Sequence, residues 1–205
     1  MAEACQLRPA SRADLGALAE LERAAFSDPW TEEQLREAMS WPGAILIAAD
    51  DETGLAGYVL ARVVVDEGEI LSIGTTPERR RRGIARRLLA AVLEKMRAAG
   101  ARSAWLEVRV SNDAARTLYQ SMGFVNAGVR PDYYRRPLED ALILRLDLDE
   151  AASAGSDLRS RATSGADGSI RLPAPQEHFE SNHPGARHEQ EPQQSHPDRQ
   201  PRRRS

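Results

Sequence analysis

A chain of 205 residues has room for one domain with an appendage, or for two small domains. Its net charge is −3, which marks no dedicated nucleic-acid surface, and its single cysteine, Cys5, excludes a disulfide framework or a thiol metal cluster. No stretch approaches about 18 apolar residues, and the first residues lack an apolar signal core, so a soluble cytoplasmic protein with no membrane partner is expected.

The apolar residues are unevenly placed. From position 151 onward the only large aliphatic or Phe residues are Leu158, Ile170, Leu172 and Phe179, beside six of the twelve prolines and all four histidines. So few apolar side chains cannot offset the conformational entropy of folding. Residues 151–205 are therefore expected to be a disordered polar tail, and residues 1–150 a single domain with one core. The tail holds eight Arg against seven Asp or Glu, which leaves the domain near −4. The closing run Pro201-Arg202-Arg203-Arg204-Ser205 reads as a solvated extension, and the irregular spacing of His178, His183, His188 and His196 suggests no metal site.

In chain order, Cys5–Arg8 reads as a short opening strand. Ser11 through Asp14 resembles a capping box and opens a helix with Leu18 and Leu21 on its clearest face. Asp28-Pro29-Trp30 breaks the chain, and Thr31-Glu32-Glu33-Gln34 is a second capping box, starting a helix that runs to about Ser40. Ala44–Ala49, Leu55–Val65 and Glu69–Thr75 read as three strands joined by tight turns, an antiparallel meander. Thr76–Arg82 is polar and basic. Ile84–Ala99 then has helical periodicity and stops at Gly100. Ser103–Val108 is a strand, Asn112–Met122 a helix stopped by Gly123, and Phe124–Val129 and Ala141–Leu146 two more strands. The fold class is α/β (α+β): a mixed, mostly antiparallel sheet with flanking helices and one strand–helix–strand unit.

The strongest local feature is the strand Glu69–Thr75, the basic loop, and Gly83 opening a helix. A helix start carries unpaired N–H groups and partial positive charge, and so binds phosphate. Gly83 permits close backbone approach, and Ala85 adds only a methyl group. Arg81, Arg82, Arg86 and Arg87 sit at the same end, where cations oppose the dipole unless an anion is present. The nucleotide-triphosphate loop and the dinucleotide fingerprint are both absent. Arg-rich loops are also common as plain solvated surface.

At this point the chain resembles the GNAT superfamily of acetyltransferases, through Arg80-Arg81-Arg82-Gly83-Ile84-Ala85. It is most similar to the ribosomal-protein-alanine N-acetyltransferase (RimI) branch. The matching runs are Phe26-Ser27-Asp28-Pro29-Trp30-Thr31, Ile73-Gly74-Thr75-Thr76-Pro77, and Trp105 through Asn112. They continue with Ala115 through Tyr119, Met122-Gly123-Phe124, Arg130 through Tyr134, and Glu139-Asp140-Ala141. Together these span about residues 7 to 146 in the family's order. Arg80 stands where Gln is frequent, Ala85 where Gly is frequent, and Gly74 where Ala is expected.

The resemblance implies a GNAT fold, with acetyl-coenzyme A as co-substrate and no metal. It implies that Ile73, Gly74 and Thr75 offer strand-edge backbone to the acetyl and pantetheine arm. Arg81, Arg82, Gly83, Ile84, Ala85 and Arg86 would wrap the pyrophosphate, and Asn112 would contact the arm. Glu107 is the implied general base and Tyr119 the general acid. The implied partner is a protein N-terminus, that of a ribosomal protein beginning with alanine. No histidine lies in residues 1–150, and a carboxylate is the natural base there. Trp30, Tyr133, Tyr134 and Glu139 are expected to line or cap a peptide groove, or else to anchor loops. Acetylation of a lysine or small amine, and non-catalytic coenzyme binding, are the competing readings.

Overall fold

The computed structural model describes residues 5–149 and 170–171. In chain order its elements are β1 (Gln6–Pro9), α1 (Leu15–Ala25), α2 (Glu32–Ala38), β2 (Ala44–Asp51), β3 (Gly54–Val64) and β4 (Glu67–Thr75). There follow α3 (Ile84–Ala98), β5 (Ser103–Arg109), α4 (Asp113–Ser121), β6 (Val125–Arg135), β7 (Leu138–Asp147) and the two-residue β8 (Ile170–Arg171). Both capping boxes form. The Thr31 hydroxyl accepts the Gln34 N–H at 3.2 Å while the Gln34 side chain accepts the Thr31 N–H at 2.9 Å, which starts α2. At Ser11 the box opens one tight 3-10 turn, Arg12–Asp14, before α1 begins at Leu15. Each such cap contributes about 1 kcal/mol.

Among the described residues the strands form one sheet in the order β1-β2-β3-β4-β5-β7-β6, with β8 added on β4. All pairs are antiparallel except β4 with β5. Parallel neighbours need a crossover, and α3 supplies it. The apolar stripe of α3, led by Leu88, Leu89, Val92 and Met96, buries a core on one face of the sheet together with Leu118 and Tyr119 of α4. On the other face, Leu18 and Leu21 of α1 and Leu35 of α2 close a second core over Tyr58, Leu60 and Leu71. The described residues fall within one compact unit, Met1–Ala174.

One expectation changes. The last two main strands are longer than the apolar runs Phe124–Val129 and Ala141–Leu146, because β6 and β7 continue as a hairpin to Arg135 and Leu138. Residues 130–140 carry no two-residue apolar alternation, so backbone pairing alone extends them, with an irregular register between Arg130 and Tyr134. The expected disordered tail lies outside the described residues except for β8, which pairs antiparallel with Ser72 and Ile73.

A bulge in β4 shapes the centre. Leu60 pairs with Ser72 and Ala61 with Ile70, so Leu71 is an extra residue on β4. Leu71 enters the α1-side core, and Ser72 beside it also faces α1, its hydroxyl donating to Glu22 at 3.1 Å. Glu22 is fully buried, and it collects the Trp30 N–H at 2.7 Å and the Tyr58 hydroxyl as well. One carboxylate therefore joins α1, the loop before α2, β3 and the bulged stretch of β4. Replacing Glu22 with Leu strands these donors in the core. Urea unfolding should register a loss of about 2 to 3 kcal/mol; a loss within about 0.5 kcal/mol, the range of an ordinary surface change, would contradict this role.

Candidate active site

β4 and β5 pair only over Glu67–Glu69 with Ser103–Trp105, and beyond the bulge they diverge. The opening between them carries the candidate site. Its β4 wall is Ile73, Gly74 and Thr75, and its β5 wall ends in Glu107. Ile170 of β8 faces Ile73 across this edge. Gly74 faces α1, where an added Cβ would lie 3.0 Å from the Phe26 ring and 3.1 Å from Leu21. The close approach of Phe26 accounts for glycine where the resemblance leads one to expect alanine.

At one end of the opening stands the basic loop. Pro77–Arg79 make a 3-10 turn, and Gly83 caps α3 at φ 76°, in the left-handed region that glycine adopts without penalty. Arg81 also has a left-handed φ of 63°, which costs a non-glycine residue on the order of 1 kcal/mol. The stem of the loop is fastened: Arg79 donates to Asp51 at 2.5 Å and also to the Thr53 hydroxyl, in the turn between β2 and β3. The Arg79 guanidinium, helped by Thr53, holds the Asp51 carboxyl well below the usual range. Arg86 donates to the Ser121 hydroxyl at 2.9 Å, which ties α3 to the end of α4. Arg81, Arg82, Arg86 and Arg87 remain exposed around the first turn of a 15-residue helix. Helix N–H groups, a left-handed approach and cations share one end, an arrangement suited to a phosphate-bearing ligand.

On the β5 wall, Glu107 is 6% exposed. Its Oε1 lies 2.8 Å from Arg130 of β6, whose side chain is half-exposed. Burial pushes the Glu107 carboxyl up, a hydrogen bond from Tyr133 and the charge of Arg130 pull it back, and Glu69 adds a smaller push upward. Burial and the Glu107 charge push the Tyr133 hydroxyl strongly up, so Tyr133 keeps its proton and donates. Glu107 is thus a carboxylate of raised basicity held by two donors from the β6–β7 hairpin, a suitable proton acceptor near neutral pH.

The other predicted residues divide. Tyr119 is fully buried in α4, its ring edge-on to Phe124 at 5.6 Å and its hydroxyl enclosed. Asn112 caps α4, its side-chain oxygen accepting the Ala115 N–H at 3.1 Å. Tyr134 and Glu139 lie at the hairpin tip. Both Glu139 oxygens are engaged, by the Ser111 N–H at 2.5 Å and by Arg109 at 3.1 Å. Burial works against its charge, but these donors hold the Glu139 carboxyl below the usual range. Its carboxylate is built into the hairpin tip. Trp30 does not line a groove. It is 1% exposed, edge-on to Trp41 at 6.2 Å, and it anchors the loop between α1 and α2 in the core. Its large apolar surface and the Glu22 acceptor explain the correction.

Sequence reasoning missed Arg109 and Arg130. Arg109 lies two positions after Glu107, hence on the same strand face, and that spacing was a readable signal. Arg130 reaches Glu107 through strand pairing between elements distant in the chain, which leaves no local mark.

Comparison with known proteins agrees with this geometry. Residues 15–124 match the Acetyltransferase (GNAT) family. The chain is 36% identical over 141 residues to the [ribosomal protein bS18]-alanine N-acetyltransferase of Salmonella typhimurium, covering 67% of this chain and 94% of that one. It is 38% identical over 143 residues to the N-alpha-acetyltransferase RimI of Mycobacterium tuberculosis, covering 67% and 89%. The crystal structure of the ribosomal-protein-S18-alanine N-acetyltransferase from Escherichia coli superposes with a TM-score of 0.66 at 30% identity, over 71% of this chain and 94% of that one. A basic helix start, a sheet parted at a bulge and a buried carboxylate on the parted strand coincide with these likenesses, and the chain belongs to the GNAT acetyltransferase family.

Proposed function

We propose that this enzyme moves the acetyl group of acetyl-coenzyme A to a protein α-amine, the N-terminal alanine of ribosomal protein bS18, in the cytoplasm. The observation that carries the reading is Glu107: a buried carboxylate of raised basicity on one parted wall, with the anion-binding start of α3 following the other wall in the chain. The relatives whose names carry this substrate support the choice of acceptor.

Each step has a group to perform it. Backbone N–H groups at the start of α3, with Arg81, Arg82 and Arg86 around them, receive the pyrophosphate; Gly83, Ile84 and Ala85 leave it room. The pantetheine arm runs along the β4 edge at Ile73, Gly74 and Thr75 and past Asn112. It uses the backbone that β8 pairs with in this structure, so arm and β8 exclude one another. The acceptor amine enters beneath the β6–β7 hairpin, beside Tyr133 and Tyr134. A free α-amine has a pKa of about 8, so a fraction is already neutral near pH 7. That amine attacks the thioester carbonyl, and the C–N bond forms. Glu107 takes its surplus proton, directly or through a water, and β4 N–H groups stabilise the oxyanion. The C–S bond then breaks, and Tyr119 protonates the departing thiolate. No covalent enzyme intermediate is needed.

Glu107→Gln should lower kcat about 100-fold while calorimetry shows acetyl-coenzyme A binding unchanged. An equal rate to wild type from about pH 6 to about pH 9 would remove Glu107 from the base role. Arg130 lowers the Glu107 carboxyl, so Arg130→Met raises it further. A base must be deprotonated, and the rising limb of the kcat profile should therefore move to higher pH; no movement, or the opposite one, contradicts the assignment. Tyr119→Phe should reduce turnover about 100-fold with nearly unchanged thermal stability. A full-rate variant would leave Tyr119 as packing only. Thiol release with a peptide starting in Ala tests the reaction itself, and a preference for peptides acetylated on internal lysines would favour the competing acceptor.

A further inference from the structure

Arg109 ends β5 on the same face as Glu107, and four of its partners lie at the tip of the β6–β7 hairpin. One guanidinium nitrogen donates to Glu139 at 3.1 Å and to the Pro137 carbonyl at 3.2 Å. The other donates to the Arg136 carbonyl at 3.0 Å. The plane of the group lies over the Tyr134 ring, 4.0 Å from its centroid. The Ser27 hydroxyl, from the loop between α1 and α2, donates to the same Arg136 carbonyl at 3.0 Å. Ser27 also sits 3.5 Å from Arg109 itself.

This pattern joins three parts of the molecule that the backbone leaves separate. Past the irregular register at Arg130, the hairpin tip keeps only the pairs Tyr134 with Glu139 and Arg135 with Leu138. Nothing in that two-pair ladder fixes the tip against β5 or against the α1–α2 loop. The guanidinium does, because it is planar, offers several N–H donors in a fixed fork, and stacks on an aromatic ring. A lysine ammonium has neither the fork nor the plane. The side chain is 20% exposed, so the contacts are only partly screened by water.

The geometry assigns to Arg109 the part of positioning residue for the acceptor: it clamps the β6–β7 tip to the α1–α2 loop and sets the width of the entrance above Glu107, through which an extended peptide amino terminus must pass. The assignment rests on the acetyltransferase reading above, in that the entrance admits the amine. It concerns the acceptor side and no atom of the coenzyme.

The test compares wild type, Arg109→Met, Arg109→Lys and Ser27→Ala with an Ala-starting peptide. Arg109→Met should raise the peptide KM about tenfold or more while the KM for acetyl-coenzyme A stays within about twofold. Arg109→Lys keeps the charge but loses the fork, and it should fail to restore the peptide KM. In the Arg109→Met background, adding Glu139→Gln should have little further effect, because both changes open one clamp. Hydrogen exchange of the amides of residues 134–139 should quicken in Arg109→Met, a readout that needs no turnover. An unchanged peptide KM, a parallel rise in both KM values, or full rescue by lysine each overturns the clamp. If Arg109→Met does not fold, Ser27→Ala must by itself raise the peptide KM and quicken exchange at the tip; otherwise the clamp is refuted. Wild-type protein that binds acetyl-coenzyme A but acetylates no peptide counts against the functional reading, and the exchange measurement still decides the clamp.

Discussion

The extra residue Leu71 in β4 is the constraint on which the site depends. A strand with regular alternation would pair with β5 along its whole length, and every backbone group between the two would be spent on the ladder. The bulge turns Leu71 and Ser72 to the same side and bends the strand, so β4 and β5 part after Glu69 and Trp105. Parting a sheet in the middle of a fold exposes unpaired backbone and thins the core. Both consequences are contained. The α1-side core receives Leu71, and the buried Glu22 carboxylate ties Ser72, Tyr58 and Trp30 to one point. The opened edge then supplies hydrogen-bonding groups that a side chain could not place with the same rigidity.

Two electrostatic arrangements face each other across this opening, and each is costly by itself. At one end, arginines crowd the positive end of the α3 dipole, and Arg81 holds a left-handed backbone. Such an end is relieved by an anion, which suits it to a phosphate-bearing ligand. On the β5 wall, a carboxylate is buried almost completely, which disfavours its charge. Arg130 and Tyr133 offset part of that cost and leave Glu107 more basic than a surface carboxylate. The hairpin tunes Glu107 through Arg130 and Tyr133, and its tip is held by Arg109.

Much of this was legible in the chain. The capping box at Thr31, the α3 stripe from Ile84 to Met96, the meander Ala44–Thr75 and the basic loop before Gly83 are all local patterns, and local patterns survive in sequence because they depend on neighbours three or four residues away. Glu107 was legible in a different way, through a run of residues that resembles a family. The reach of the β6–β7 hairpin was not legible, because residues 130–140 have no apolar alternation and are extended only by their partner strand. For Trp30 the sequence left a groove lining and a loop anchor both open, and the structure makes it an anchor, because its burial depends on Trp41 and Glu22, which no spacing rule connects to it.

By itself the sequence determined the element types, the helix starts and stops, and the basic helix start suited to a phosphate, since each follows from backbone geometry and charge over short spans. Only the tertiary structure decided how the Glu107 carboxyl is tuned and how the β6–β7 tip is held. Arg130 meets Glu107, and Arg109 meets Arg136, Pro137 and Glu139, across separations of 23 to 30 residues, and Ser27 joins them from 109 residues away. The physical reason is that these contacts are set by strand register and by a bulge, and register is a property of the paired sheet, which no single strand carries alone.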